Sequence, residues 1–461
     1  MSSDCFLRNG LLNTMNSDYD LIVIGAGPGG LAASERAASY GAKVAIVERD
    51  QVGGTCVVHG CIPEKLMTYA ASFLQFFQNA DEYGWGNVSC QFDWSQFMKA
   101  KDQHIEHLSQ VHIKNLQEAK AELMYGHAQF LDAHTLEIGD RRVTADKILI
   151  AVGGRVVKPA LPGIEHAITT RELLELVDRP DHLAIVGGNH IAVKAAGIMN
   201  ALIPKVTLIT SEEQILPGYD DDLRSTIQTQ LSRLGVQILC RSQVQKLERE
   251  QSCIKITVSS DAVDEISATT VAWIENRTPN LEGLNLEQIN IDVDQGAIAV
   301  DGYSSTSQPN IFAVGDCTLR PHWTPVAIAS GRAFADTEFG DQPCAVNYEN
   351  IPTVASAKPE AATIGLTETQ ARDKFGDAIR CYRKTFQPLF NLIGESKQEA
   401  FLKLIVEQQS DRILGAHMVG EYASEIIQMI APAMKAGVTK KHFDQAIGVH
   451  PSLGEELFTM R

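Results

Sequence analysis

DYDLIVIGAGPGGLAASERAASYGAKVAIVERD, residues 18–50, reads as one complete strand–helix–strand unit. The apolar run Leu21 to Ile24 leads into Gly25-x-Gly27-x-x-Gly30, an Ala-rich helical stretch follows, and a second apolar run, Val44 to Val47, ends on Glu48. Glycines at these spacings allow a tight turn and let the backbone approach a pyrophosphate, which the helix N-terminus favours electrostatically. An acid at the end of the second strand is placed to hold a ribose hydroxyl. A ligand-free Gly-rich turn would need none of this register. The stretch therefore predicts a dinucleotide-binding fold, with Gly25, Gly27, Gly30 and Glu48 as cofactor-binding residues.

Working outward, HLAIVGGNHIAVKAAGIMNALIPKVTLITSEEQILPGYDDDLR (182–224) repeats the outline: strand Leu183–Val186, turn, helix, strand Val206–Ile209. Gly25 to Glu48 and Gly187 to Thr210 are both spans of 23 positions. Asn189 and Ala192 stand where the first unit has its second and third glycines. Alanine is permitted at the third site, but an Asn side chain fills the space a pyrophosphate must enter. Thr210 replaces the acid, so a diol grip is missing. Ser211, Glu212 and Glu213 follow, and two carboxylates would repel a 2′-phosphate. The second unit predicts a fold kept without its ligand chemistry.

A chain of 461 residues exceeds one core and predicts three or four structural units. The net charge of −17 argues against nucleic acid or an anionic membrane as partner. No apolar run reaches the length of a membrane span. Residues 1–17, MSSDCFLRNGLLNTMNS, lack a secretory h-region and read as a loose tail, with Met15 an alternative start to Met1. Nine cysteines (5, 56, 61, 90, 240, 253, 317, 344, 381) are an odd, scattered set that suits a reducing cytoplasm.

The exception is CVVHGCIPEKL (56–66), with four residues between Cys56 and Cys61. Such a pair at the start of a helix can close as a disulfide or open as a dithiol. The helix N-terminus lowers a thiolate's pKa and so supports exchange. Further blocks follow in order: VGDCT (314–318), TPVAIASGRAFAD (324–336), NIPTVASAKPEAATIGLTETQA (350–371) and HPSLGEELFTMR (450–461). In this order the chain resembles the flavin-dependent disulfide reductases, class I pyridine nucleotide-disulfide oxidoreductases, and within them glutathione reductases of cyanobacterial and plant type.

The resemblance implies an α/β protein: two Rossmann-like (doubly wound βαβ) dinucleotide-binding domains plus an α+β C-terminal dimerisation domain. The expected divisions are a tail (1–17), an FAD-binding domain with the redox cysteines (18–155), a degenerate NAD(P)-binding-like domain (156–282), a central domain (283–346) and the dimerisation domain (347–461). It implies FAD as cofactor, held also by Gly54, Thr55, Asp316 and Thr324, with Pro325 packed under the flavin ring. Cys61 would face the flavin and Cys56 would exchange with the substrate disulfide. His450 and Glu455 would supply an acid–base pair from the opposite subunit of a homodimer. No metal is implied, and Cys317 draws notice only because it adjoins Asp316.

Several positions depart from the family pattern. The Lys expected after the second cysteine's Ile-Pro is Glu64, and the Glu expected in the second Rossmann helix is Lys194. One reversal alone would oppose like charges, at a cost on the order of 4 kcal/mol at 4 Å and an effective dielectric of about 20; the double reversal restores attraction. The family's gating Tyr is His190, its 2′-phosphate arginines fall at Ser211 and Pro217, and its Gly-containing strand end reads Ile274-Glu275-Asn276-Arg277. Together these disfavour NADPH. On the disulfide side Arg332 is retained, while Pro28 and Glu35 replace Ser and Arg/Lys, and Glu35 would repel a glutathione carboxylate. Three readings follow. The first-ranked is an FAD dithiol–disulfide oxidoreductase acting on a small-molecule or protein disulfide and fed by another donor, including a protein one. The alternatives are an NADPH-dependent glutathione reductase in cell redox homeostasis and a non-catalytic dimeric flavoprotein.

Overall fold

The computed structural model describes residues 17–86, 89–260, 263–393 and 398–461. The expected tail, apart from Ser17, and both candidate start methionines therefore lie outside the described residues. The chain forms two compact units.

Of the described residues, the first unit comprises 17–58, 106–155 and 278–346. Its sheet is built on Tyr19–Ile24, which runs parallel to Val44–Glu48 on one side and to Arg141–Ile150 on the other. Glu122–Tyr125 and Ile311–Ala313 extend it in parallel. Leu21, Ile22 and Val23 have no exposed surface; a parallel strand covered on both faces is apolar throughout rather than alternating. Arg141–Ile150 also continues into an antiparallel meander with Thr135–Ile138 and Ala128–Phe130. Helices Pro28–Ser39 and Thr324–Phe339 pack on each other.

The second unit comprises the described residues within 59–105, 156–277 and 347–461. Its parallel sheet has the order Gln237–Leu239, Lys205–Ile209, His182–Val186, Thr270–Trp273, Ala167–Ile168. Residues 59–105 group here rather than with 18–58. The helix Cys61–Gln78 turns Met67 and Ala71, a four-residue repeat, inward and packs on His190–Leu202. Trp94 Nε1–H donates to the Leu176 carbonyl at 3.0 Å, and Lys358 Nζ donates to Gln75 Oε1 at 3.0 Å.

A second, antiparallel sheet of five strands follows, ordered Thr353–Ala357, Glu360–Gly365, Ile413–Val419, Ala400–Glu407, Ile379–Phe386. Helix Ala423–Lys435 lays Ala423, Ile427, Ile430 and Met434 on it, a helical stripe of three- and four-residue steps. On Ala400–Glu407, one strand in from the edge, the buried Lys403 breaks the apolar run FLKLIV. Its Nζ lies 2.8 Å from Asp220 Oδ1, 2.5 Å from Asp222 Oδ2 and 2.8 Å from Glu368 Oε2. A buried ammonium is tolerable only with such partners, and this one ties the second dinucleotide fold to the antiparallel sheet. No helix among the described residues is long and apolar enough to cross a membrane.

Candidate active site

In the first unit the strand–helix turn has the geometry of an anion cradle. The helix Pro28–Ser39 starts at Gly27, in extended conformation, with Pro28 in its first turn and no side chain capping it. The first-turn amides thus keep their positive end of the helix dipole. A Cβ on Gly30 would lie 2.0 Å from the Gly25 carbonyl oxygen, so only glycine closes this turn. Gly54, at φ +59°, brings the next helix against it: a Cβ there would lie 2.7 Å from Gly27 Cα. Glu48 is nearly buried; its two oxygens accept the Ala26 and Asp50 amides, each at 2.8 Å. A carboxylate oxygen accepts more than one hydrogen bond, so the fixed group keeps capacity for a diol.

Thr55 and Cys56 follow in the helix Gly54–Val58, Thr55 exposed and Cys56 half-buried. Asp316 sits in the turn Gly315–Cys317 directly after the strand Ile311–Ala313, and Thr324 opens the helix Thr324–Phe339. That helix reaches the cradle through Ala327, whose carbonyl oxygen lies 3.2 Å from a Cβ built on Gly29. These residues fit the phosphates and ribose of FAD. Cys317 is wholly buried, and its thiol, pushed up to about 12 chiefly by that burial, donates to the Val314 carbonyl at 3.2 Å. It is a packing residue. Glu35 is half-buried, which raises its carboxyl against the opposing charges of His112 and Arg332.

In the second unit Cys61 is exposed at the first position of an 18-residue helix, after Gly60, again without a side-chain cap. Glu64 lies in the first turn, where a carboxylate is favoured by the dipole. Lys194 Nζ lies 2.9 Å from Glu64 Oε1, with both side chains mostly buried.

At the turn of the second dinucleotide fold, Asn189 is bonded on both sides within the chain. Asn189 Oδ1 accepts the amides of Ile191 and Ala192, each at 3.0 Å, and Nδ2 donates to the carbonyls of Ile274 at 2.9 Å and Glu275 at 2.8 Å. Gly188 has Thr210 against it, with Oγ1 2.5 Å from a built Cβ. His190 is held neutral: burial first, then the charges of Lys194 and Arg277, push it down to about 3. Glu275 is raised above the usual carboxylate range by burial and by Glu212. Ser211, Pro217 and Asn276 are exposed. Sequence reading saw no arginine here; the structure brings Arg241 in from the end of the neighbouring strand, where Glu213 engages its guanidinium.

At the C-terminus His450 Nδ1 lies 2.9 Å from Glu455 Oε2, and the Ser452 amide donates to Oε1 at 3.1 Å. The Ser452 amide first, then His450, hold the Glu455 carboxyl below its usual range. The His450 side chain is 82% exposed, so its other nitrogen is accessible to a reacting group. Among the described residues no group of three or more His, Cys, Asp or Glu is arranged to hold a metal ion. A further pair that the sequence gave no sign of joins His59, between the two cysteines, to Glu175 at 2.9 Å.

Residues 19–331 match the family model described as pyridine nucleotide-disulphide oxidoreductase, and residues 351–461 match that family's dimerisation domain. The chain is 48% identical to a glutathione reductase of Nostoc sp. over 97% of its own length and 100% of that protein. It is 40% identical to a glutathione reductase of Burkholderia cepacia, covering 96% and 98%. To the chloroplastic/mitochondrial glutathione reductase of Pisum sativum it is 35% identical, covering 98% and 84%.

Proposed function

The chain belongs to the pyridine nucleotide-disulphide oxidoreductase family, and from that premise we propose that it is an FAD-dependent dithiol–disulfide oxidoreductase whose second dinucleotide fold takes electrons from NADPH inefficiently. Gly25, Gly27, Gly30, Glu48, Gly54, Thr55, Asp316 and Thr324 hold the FAD. When bound, FAD supplies a two-electron carrier between the donor and the cysteine pair. Residues 347–461 form the homodimer, and the enzyme works in the cytoplasm.

The chain's own chemistry is thiol exchange. Cys56 as thiolate attacks one sulfur of the substrate disulfide, forming a mixed disulfide and releasing a thiolate. His450 of the partner subunit, as imidazolium held by Glu455, gives that thiolate its proton. Cys61, as thiolate, then attacks the Cys56 sulfur, closes the internal disulfide and releases the second substrate half as a thiolate, which takes a proton from solvent. Two electrons have left the dithiol, and the FAD side must return them.

One observation carries the NADPH reading: Asn189 spends its side chain on the two amides that a pyrophosphate would otherwise receive. The losses at Thr210, Ser211, Pro217, Glu275 and Asn276 act in the same direction. A second reading, an NADPH-dependent glutathione-disulfide reductase, is favoured by the 48% identity to the Nostoc glutathione reductase over nearly the full chain. Glu35 argues against it on the disulfide side, because a carboxylate beside Arg332 weakens that arginine's hold on an anionic peptide.

Anaerobic titration of the yellow holoprotein separates the two. Dithiothreitol is expected to bleach the flavin, while NADPH and NADH do so slower by orders of magnitude than in an intact relative. Fast stoichiometric bleaching by micromolar NADPH would establish the second reading instead.

A further inference from the structure

We propose that His59 is a positioning residue for the dithiol: a proton held on its ring against Glu175 makes the Cys56–Cys61 pair easier to reduce. The inference rests on the reading of that pair as the redox centre.

His59 lies in the connector between helices Gly54–Val58 and Cys61–Gln78, two positions before Cys61. Its imidazole is 13% exposed, and Nδ1 comes within 2.9 Å of Glu175 Oε1, off the line of a well-formed hydrogen bond. The contact is therefore chiefly Coulombic and is strong only when the ring carries its second proton. Glu175 ends the short helix Thr170–Leu174, and Arg171 Nε lies 3.5 Å from the same oxygen. Other charged groups on these and the adjoining elements have partners of their own. Glu64, on the helix after the connector, is paired with Lys194. Glu172 accepts the Thr169 amide at 2.6 Å. His190 is held neutral by burial and by Lys194 and Arg277.

Among side chains of ordinary pKa, an imidazole is the one that changes charge near neutral pH. Protonation of His59 thus adds one positive charge beside the N-terminus of the helix that Cys61 opens. It reinforces the helix dipole, and both favour a thiolate over its neutral or disulfide form. Reduction of the disulfide takes two electrons and leaves a Cys61 thiolate and a Cys56 thiol, which takes one proton from solvent. By linkage, the reduced pair also binds the His59 proton more tightly than the oxidised pair does. Acidification therefore favours the reduced pair beyond what thiol protonation alone gives.

The test equilibrates full-length holoprotein with mixtures of reduced and oxidised dithiothreitol, at about pH 6 and about pH 8.5, either side of the ordinary imidazole range. Alkylation and peptide mass spectrometry then read the Cys56–Cys61 disulfide directly, without turnover. At the lower pH His59→Gln is expected to shift the exchange equilibrium toward disulfide by roughly three- to tenfold, an ordinary size for one partly screened charge. At the higher pH it should coincide with wild type. His59→Arg, which keeps the cation, should match wild type at the lower pH and lie further toward the dithiol than wild type at the higher pH, and Glu175→Gln should fall between wild type and His59→Gln at the lower pH. Curves that superimpose for wild type, the Gln variant and the Arg variant at both pH values overturn the role of His59 while leaving the redox pair intact. Failure of wild type to form the disulfide at any ratio overturns the redox pair itself, and this inference with it.

Discussion

Lys194 Nζ and Glu64 Oε1 lie 2.9 Å apart, 130 positions away in sequence, on helices that pack against each other. Where the family pattern places lysine then glutamate, this chain has glutamate then lysine, and the contact is kept with its polarity reversed. Glu64→Lys alone would oppose Lys194, and Lys194→Glu alone would oppose Glu64. Each should lower the melting temperature or loosen FAD. The double variant should recover most of the loss, with a coupling of roughly 1–3 kcal/mol in a double-mutant cycle. Additive single effects would show that the pair contributes nothing as a pair. NADPH activity should not return with the double variant, because Asn189 and Thr210 remain.

The cofactor cradle predicts a sharper loss from a smaller change. Gly54→Ala forces a Cβ to 2.7 Å from Gly27 Cα at a backbone φ of +59°. The two elements proposed to hold the FAD phosphates must then separate. Purified variant is expected to carry less flavin, with FAD affinity reduced about tenfold or more, the scale of roughly 1–3 kcal/mol for strain of this kind. The ratio of flavin to protein absorbance measures it. Wild type that is colourless, and stays so on adding FAD, would overturn the cofactor assignment altogether.

Both parallel sheets were legible in the sequence because their strands are uniformly apolar and lead into glycine turns, as at Leu21–Ile24 and Leu183–Val186. Asn189 was legible as bulk in the wrong place. Its bonds to Ile274 and Glu275, some 85 positions away, were not, since no local pattern ties an Asn to distant carbonyls. His59–Glu175 was invisible for the same reason: one histidine between two cysteines has no periodicity to point at its partner. Lys403 misleads in the opposite way. Inside FLKLIV it reads as an exposed strand position, yet it is buried because three carboxylates from two other segments converge on it. Arg241 was missed because strand order, not sequence distance, brings it to Glu213.

That Lys403 cluster predicts an acid limb in stability. Burial alone would raise the Glu368 carboxyl, but hydrogen bonds from Lys403 and Arg372 and the charges of Lys403 and Arg383 outweigh it and bring it down to about 2. A carboxyl held below its unfolded value stabilises the fold above that value and loses the contribution as pH falls toward 2. His417 adds an earlier step. Burial pushes it down to about 4, so the unfolded chain takes up a proton first as pH drops from the ordinary imidazole value of about 6.5. The melting temperature should be level above neutrality, fall gently below it and then steeply below about pH 4.5. Glu368→Gln should melt lower at neutral pH and show a flatter steep limb. An unchanged limb would remove Glu368 from the account. Lys403→Met should cost about 3–5 kcal/mol at neutral pH by stranding buried carboxylates.

Asn189 carries the proposed loss of NADPH, so its replacement by glycine is the decisive change. The side chain caps its own helix through Ile191 and Ala192 and ties that turn to the strand end at Ile274 and Glu275. Glycine is itself an acceptable cap, costing only a few tenths of a kcal/mol, but the two donated bonds disappear at about 0.5–1.5 kcal/mol each. Asn189→Gly should therefore unfold about 1–3 kcal/mol more easily in denaturant. In exchange the two amides are released at the positive end of a 13-residue helix, where an anion gains roughly 0.3–2 kcal/mol. Calorimetry with ADP should show tighter binding to the variant than to wild type by a factor within that range. Flavin reduction by NADH should quicken more than by NADPH, because Glu212 and Glu213 still face a 2′-phosphate. Adding Ser211→Arg should reverse that preference by supplying a bidentate partner for the phosphate. If wild type binds ADP as tightly as Asn189→Gly does, the asparagine obstructs nothing, and the slow donor step must be sought at His190 and Glu275 instead.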